Sequence, residues 1–553
     1  MSNAAEWVAN FTPRPLGEYF DDALRLYGDK PATDFMGKGL TYRQLGHEVD
    51  KAAAGLQRMG MKKGDKIGIC LPNTPYYTIF YYAILKIGAT VVNFNPLYVE
   101  REIAFQARDA GIDTMITLDL KVVYNTVEDV RKEGAISRII VCPMADLLPQ
   151  PKKLLFSLFK KSDRADIPKD DAHIFYKSLT ANDGKFTPAT IDPKEDIAIL
   201  QYTGGTTGVP KGAMLTHSNL SANMEQMKCH FVGARPGEES SLCVIPFFHV
   251  FAMTVSQNLS VLIGAEMVMM PRFEMKMLLD TIKRKKPTLF AGVPTIYTAI
   301  NNSELTPKYD LSSIRICMSG GAPLPVEVKQ KFESLTGCVL VEGYGLTESS
   351  PVACGNPIDR PGKAGSIGIP VSGTEVLFRS LDDPKQDVPK GERGELCLIG
   401  PQIMKGYWNR PEETEKTLED GCILHTGDVG YEDDDGFVFL VDRIKDLILC
   451  SGYNVYPRVI EEALYLHPAV AEVIVIAIPD DYRGQAPKAF VKLKEDQNAT
   501  EEELKTFLKD HISKIEMPAM IEFRDELPKT LVGKLSKKEL VEEEAQKRAM
   551  ADA

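Results

Sequence analysis

Short β-branched runs alternate with segments of helical periodicity from about Lys66 to Glu342, and no other feature constrains the fold as strongly. Lys66–Leu71, Ile197–Tyr202, Glu266–Met270, Leu289–Gly292 and Arg315–Ser319 read as buried strands. Tyr76–Ile87 and Glu274–Lys285 carry the three-and-four spacing of a helix between them. Buried strands need cover, so the alternation predicts βαβ units: an α/β domain of stacked sheets with helices over them. At 553 residues the chain exceeds what one core serves, and further domains are expected. From Gly373 to Val441 glycine and proline punctuate short strands such as Gly394–Ile399 and Gly436–Val441, the texture of an antiparallel, barrel-like β subdomain. After Asp442 the pattern restarts, with strands at Glu472–Ile478 and Ala489–Lys494 and a helix Glu501–Ser513 opened by Thr500. That is a small α+β domain. The charged run Asp442-Arg443-Ile444-Lys445-Asp446 reads as its linker, dividing the chain into 1–444 and 445–553.

A formal net charge of −12 argues against bulk attraction to nucleic acid, which needs a basic surface. A small polyanion held by a local cluster of donors remains open. The ten cysteines contain no C-x-x-C pair, so neither a zinc knuckle nor a disulfide framework is indicated, and a reducing, cytoplasmic compartment is expected. Residues 1–16 lack the basic and apolar regions of a signal peptide. The longest apolar stretch, Tyr76 to Phe94, is broken by Lys86, Gly88 and Asn93 and makes a poor membrane span.

The strongest local signal is Tyr202-Thr203-Gly204-Gly205-Thr206-Thr207-Gly208-Val209-Pro210-Lys211-Gly212, directly after an apolar strand. Glycines let backbone N–H groups approach phosphate oxygens, the threonines add hydroxyl donors, and Lys211 adds charge. A phosphate cradle is the functional reading, and a plain surface loop the bland one. It is not a Walker-type loop, because Pro210 stands where that motif needs glycine and Gly212 where it needs Ser or Thr.

Five more motifs follow: Ser319-Gly320-Gly321-Ala322-Pro323-Leu324, Gly343-Tyr344-Gly345-Leu346-Thr347-Glu348, Thr426-Gly427-Asp428, Asp442-Arg443-Ile444-Lys445-Asp446 and Pro528-Lys529-Thr530-Leu531-Val532-Gly533-Lys534. In this order the set resembles the adenylate-forming superfamily of acyl-CoA synthetases, peptide-synthetase adenylation domains and firefly luciferase. Leu40–Pro96 is similar as well, so the resemblance spans nearly the whole chain. Leu200–Gly205, Ser451–Pro457 and Glu522–Lys529 look in particular like bacterial long-chain fatty-acid–CoA ligases.

The resemblance implies ATP, Mg²⁺ and coenzyme A, and it assigns roles to residues of fitting chemistry. Thr203, Gly204, Gly205, Thr206, Thr207, Gly208 and Lys211 would hold phosphates. Gly321, Ala322 and Pro323 would face adenine from one side, and the ring of Tyr344, followed by Gly345, from the other. The Asp428 carboxylate suits two ribose hydroxyls, and the Arg443 fork suits ribose or phosphate. Thr347 and Glu348 would help bind Mg²⁺, which commonly takes one or two protein carboxylates beside substrate phosphates. Lys534 is the expected catalytic residue. A carboxylate brought to an α-phosphate meets a repulsion of roughly 1–4 kcal/mol at about 4 Å, and an ammonium between them offsets it. Phe248, His249, Ala252 and Gly320 would line the acyl site, His249 as a gate or wall, with a packed core histidine as the alternative. Gly452 and Tyr453 would border the channel for the thiol's pantetheine arm, and Lys445 matches the hinge position.

The implied activity is ATP-dependent activation of a fatty acid to an acyl-adenylate, followed by transfer to coenzyme A. An aryl-CoA ligase, or an acyl-AMP ligase loading a carrier protein, is the alternative. The partners are then small molecules, without nucleic acid, and a homodimer is compatible with the resemblance. Separately, Pro151–Lys161 combines four lysines with five large apolar residues. It reads either as a surface segment for an anionic membrane or as a helix packed on its own domain.

Overall fold

The computed structural model describes residues 4–203, 210–451, 453–480, 482–529 and 535–551. The alternating region builds two sheets. The first orders its strands His173–Phe175, Arg138–Cys142, Thr114–Leu118, Lys66–Ile69, Thr90–Asn93, Ile197–Thr203 and Lys211–Thr216, parallel except for the last pair. The second runs Ile369–Pro370, Val352–Gly355, Val339–Gly345, Ile316–Gly320, Leu289–Gly292, Ser240–Cys243, Glu266–Met269, Pro31–Phe35 and Lys38–Thr41. Its interior pairs are parallel, and antiparallel strands close both ends. The strands expected from sequence form with shifts of one or two residues at their ends.

The helix expected at Tyr76–Ile87 forms as Pro75–Lys86 and is buried from Pro75 to Leu85, so it has no solvent face. Its polar tips are bonded inside the core. The Tyr77 hydroxyl donates to Phe247 O at 2.9 Å, Thr78 Oγ1 to Gln257 Oε1 at 2.7 Å and Tyr82 to Asn258 Oδ1 at 3.1 Å. These bonds tether the segment that carries the aromatic run Phe247–Phe251, and they offset the cost of burying those hydroxyls.

The chain separates into two compact units, Met1–Glu375 with Leu398–Leu424, and Val376–Cys397 with His425–Ala553. The predicted barrel-like region is a five-stranded sheet, Glu375–Arg379, Gly394–Ile399, Ile423–Glu432 and Leu418–Glu419 in order, with Val438–Arg443 antiparallel on Ile423–Glu432. The C-terminal sheet orders Tyr453–Val455, Ile448–Cys450, Gly484–Leu493 and Val470–Asp480, with Met520–Phe523 parallel on Gly484–Leu493. Helices Pro457–Tyr465 and Glu501–Leu508 contribute Ile460, Leu464, Leu504 and Leu508 to its core. Thr500 and Glu503 form a reciprocal capping box on the second of these, which ends at Leu508 rather than at Ser513.

The sequence suggested a division at 444/445, whereas contact groups most of the small sheet with the C-terminal segment. The cause is local packing. Tyr456 and Val459 meet Val429 and Val441, and Asp442 Oδ2 accepts from Arg458 N at 2.7 Å. Lys445 therefore lies inside the second unit, in the 3-10 turn Ile444–Asp446.

Candidate active site

In open α/β sheets, ligands gather beyond the carboxyl ends of parallel strands. The first unit places its motifs there. Ile197–Thr203 leads into the glycine-rich segment, Ile316–Gly320 into Gly321-Ala322-Pro323, and Ser240–Cys243 toward Phe248-His249, while Val339–Gly345 carries Tyr344 into Thr347-Glu348. Ile316–Gly320 and Val339–Gly345 are parallel neighbours in which Gly320 faces Gly343, so the segments carrying Gly321–Pro323 and Tyr344 emerge side by side. Leu324 N donates to Glu342 Oε2 at 3.2 Å and ties one segment to the base of the other. A Cβ on Gly345 would sit 1.9 Å from Pro351 O, so close backbone passage alone requires glycine there.

Thr203 faces Lys211 across an antiparallel pair, so residues 204–210 join two strands rather than a strand and a helix. The 3-10 turn Thr347–Ser349 touches both of these strands. Glu348 thereby stands beside the two strands that flank residues 204–210 in sequence. Its Oε1 accepts from the Tyr407 hydroxyl at 2.6 Å, and its backbone carbonyl accepts from Met404 N at 2.8 Å. Burial first, and the Glu348 charge next, push the Tyr407 phenol well above its usual range, so it stays a donor. Lys211 Nζ lies 4.7 Å from the centre of the Tyr407 ring and pairs with Glu413 at 2.8 Å, which holds that carboxyl below its usual range. Beneath them the Tyr202 hydroxyl donates to Asp109 Oδ2 at 2.6 Å and Trp408 Nε1 to Asp109 O at 3.1 Å. Sequence reasoning singled out Lys211 and Glu348 but missed Tyr407, Glu413 and Asp109, for which the aromatic pair beside Gly406 was the only local sign.

Tyr407→Phe is expected to lower adenylate formation about ten- to a hundredfold, since a hydrogen bond to a charged group contributes roughly 1.5–3 kcal/mol. The half-saturating Mg²⁺ concentration should rise, and the melting temperature should fall with loss of the buried hydrogen bond. An unchanged Mg²⁺ dependence would assign Tyr407 to packing alone.

Around the aromatic motif, Gln201 Nε2 donates to Phe248 O at 2.9 Å, and His249 Nδ1 accepts from Phe251 N at 3.3 Å. His249 thus caps the helical run Val250–Ile263, which includes a π-helical stretch, Met253–Asn258. Such stretches occur often at functional sites. Ala252 is buried in this run, and a Cβ on Gly320 would meet the Phe251 ring at 3.0 Å.

The second unit holds the remaining candidates. Asp428 and Arg443 are partners in register on antiparallel strands, with Arg443 Nε 3.0 Å from Asp428 Oδ1. Gly427, at φ +73°, turns the chain just before Asp428. Burial lowers the Lys445 ammonium against the opposing pull of Asp446. Tyr453 is exposed. Gly204, Gly205, Thr206, Thr207, Gly208, Gly452 and Lys534 lie outside the described residues.

Two family models match: the AMP-binding enzyme over residues 20–408 and the AMP-binding enzyme C-terminal domain over residues 459–534. The chain is 43% identical to a long-chain-fatty-acid–CoA ligase of Bacillus subtilis (strain 168), covering 99% of both. It is 40% identical to one of Yersinia pestis, covering 95% of this chain and 94% of that one. Among solved structures it is similar to the anthranilate CoA ligase AuaEII in complex with anthranoyl-AMP, at TM-score 0.85, 25% identity and 99% coverage of both chains. With the motifs of the large domain at strand carboxyl ends and both family models matched in order, the chain belongs to the AMP-binding enzyme family.

Proposed function

We propose that this chain joins a long-chain fatty acid to ATP, releasing pyrophosphate, and then passes the acyl group to coenzyme A, releasing AMP. The observation that carries the reading is the end-to-end, 43% likeness to a ligase of that name. The substrate acid is ionised near pH 7, so its oxygen attacks the α-phosphorus without a general base. Thr203, Lys211 and the glycine-rich segment would bind phosphates, the Gly321–Pro323 backbone and Tyr344 the adenine, and Asp428 with Arg443 the ribose. Phe248, His249, Ala252 and Gly320 would border the acyl chain. The oxygen donors of Thr347 and Glu348 suit Mg²⁺: Tyr407 engages Oε1, and a carboxylate has a second oxygen to offer a hard cation. When bound, the ion neutralises phosphate charge.

A pyrophosphate-exchange panel over fatty, aryl and amino acids tests the reading. The largest kcat/KM should belong to long-chain fatty acids. A dominant aryl acid would establish the aryl alternative, and exchange with amino acids alone would overturn the assignment.

Acids of that length partition into bilayers, and one helix suits collecting them there. Lys152–Phe159 has no buried residue and exposes Leu154, Leu155, Leu158 and Phe159, between lysines at 152, 153, 160 and 161. Lys153 pairs with Asp146 and Lys160 with Asp163, so the positive charge is moderated. Among the described residues no helix is long and apolar enough to cross a membrane. The proposed contact is peripheral, with an anionic bilayer, at about 1 kcal/mol per lysine near the surface plus the apolar insertion. Sedimentation with phosphatidylserine vesicles should exceed that with phosphatidylcholine, fall with salt, and be lost in Leu155→Glu/Phe159→Glu. Equal sedimentation with both lipids would remove the idea.

A further inference from the structure

We infer that the second compact unit carries a site for a thiophilic divalent cation, with Zn²⁺ the fitting ion, formed by Glu395 Oε2, Cys397 Sγ and His425 Nδ1. Glu395 and Cys397 are two apart on the strand Gly394–Ile399, so their side chains leave the same face, and His425 stands on the adjoining strand Ile423–Glu432. All three donor atoms lie within 4.8 Å of one another. Sγ is 3.5 Å from Nδ1, and Nδ1 is 2.8 Å from Oε2. With Zn–S about 2.3 Å and Zn–N about 2.0–2.1 Å, a tetrahedral ion spans its sulfur and nitrogen by about 3.5 Å. The cysteine–histidine edge already has that length. The nitrogen–oxygen edge of the same tetrahedron is about 3.4 Å, so Glu395 must withdraw by roughly half an ångström.

A thiolate, an imidazole and a carboxylate select Zn²⁺ over Mg²⁺, which sets this site apart from the oxygen donors of Thr347 and Glu348. Cys397 and Glu395 are buried and the His425 side chain is 15% exposed, and a water would complete the four ligands. Binding releases the Cys397 proton to solvent and moves the imidazole proton from Nδ1 to Nε2. The site is coupled to its neighbour. Glu395 Oε1 accepts from Gly427 N at 3.0 Å, and Thr426 Oγ1 donates to Leu396 O at 2.7 Å. A cation that draws Glu395 away loosens the turn presenting Asp428 and weakens nucleotide binding. That consequence rests on the ribose role of Asp428; the site itself does not.

Co²⁺ is the probe, used without nucleotide on the full chain in a Cys229→Ser/Cys422→Ser background that removes the two exposed thiols. One Co²⁺ per chain should give a thiolate charge-transfer band and tetrahedral visible bands, displaced by Zn²⁺. Cys397→Ala and His425→Asn should each abolish the thiolate band or weaken binding at least about tenfold, with the far-ultraviolet circular dichroism unchanged. A band that survives Cys397→Ala, or no band at millimolar Co²⁺, would overturn the site. X-ray absorption on the unsubstituted, Zn²⁺-loaded protein guards against misfolded variants. It should find one sulfur at about 2.3 Å, and a shell of oxygen and nitrogen alone rejects the assignment. Metal loading should weaken ATP binding about fivefold or more in the parent and not in Cys397→Ala, within the usual range of coupling. Unchanged ATP affinity on metal-loaded protein would reject the coupling, and so separates failure of the Asp428 reading from failure of the site.

Discussion

Replacing Lys445 with proline should leave single-turnover acyl-adenylate formation within a fewfold of the parent and cut overall CoA-ester synthesis about a hundredfold or more, the scale of misplacing reacting groups by an ångström. The two half-reactions need different neighbours around one acyl-adenylate. We propose that Lys534 serves the first and an open thiol channel past Gly452 the second, with the segment after Ile444 rotating between them. Rotation of this kind concentrates in a few backbone dihedrals. Lys445 occupies the middle of a single 3-10 turn flanked by extended Arg443 and Leu447. A 3-10 φ of about −50 to −70° suits a proline ring, and the expected result follows if the adenylation conformer keeps that φ while the thioester conformer leaves it. A proline at 445 also disfavours the helical backbone of the preceding Ile444, so the turn must relax there to accept it. Rotation there must also part Tyr456 from Val429 and Val441 and break the bond from Arg458 N to Asp442. Parallel loss of both half-reactions would point to general damage. Unimpaired overall turnover would place the hinge elsewhere.

Lys534→Ala should lower adenylate formation by about 10²–10³-fold, the usual effect of deleting one group that stabilises developing charge. Thioester formation from supplied acyl-adenylate should remain within a fewfold, because the repulsion between carboxylate and α-phosphate exists only in the first half. Equal loss in both halves would sink the role. The residues around this lysine sharpen the choice. Lys529 pairs with Glu472, Lys537 lies near Glu461 and Asp446, and Lys538 faces Glu542 at 4.0 Å, so these three ammonium groups lie against carboxylates of their own unit. An antiparallel bridge between Lys529 and Leu535 holds together the ends of the segment that carries Lys534.

Periodicity, capping and glycine-rich chemistry are local, and what depends on them is legible in the chain. The α/β class, the Thr500 cap, the order of the motifs and most strand ends to within two residues follow from it, although the strand read as Ala489–Lys494 begins five residues earlier, at Gly484. Which distant groups meet is set by the packed core. Glu348 receives Tyr407 from 59 positions away, and Glu395 receives His425 from 30 away. The all-round burial of Pro75–Lys86 depends on neighbours its own spacing cannot name. The boundary drawn at the charged run 442–446 followed composition, yet Tyr456 packing on Val429 and Val441 carries compactness across it. A side-chain pattern states which face must leave water. Which surface receives that face follows from strand order and register, and these are settled only when the whole core packs.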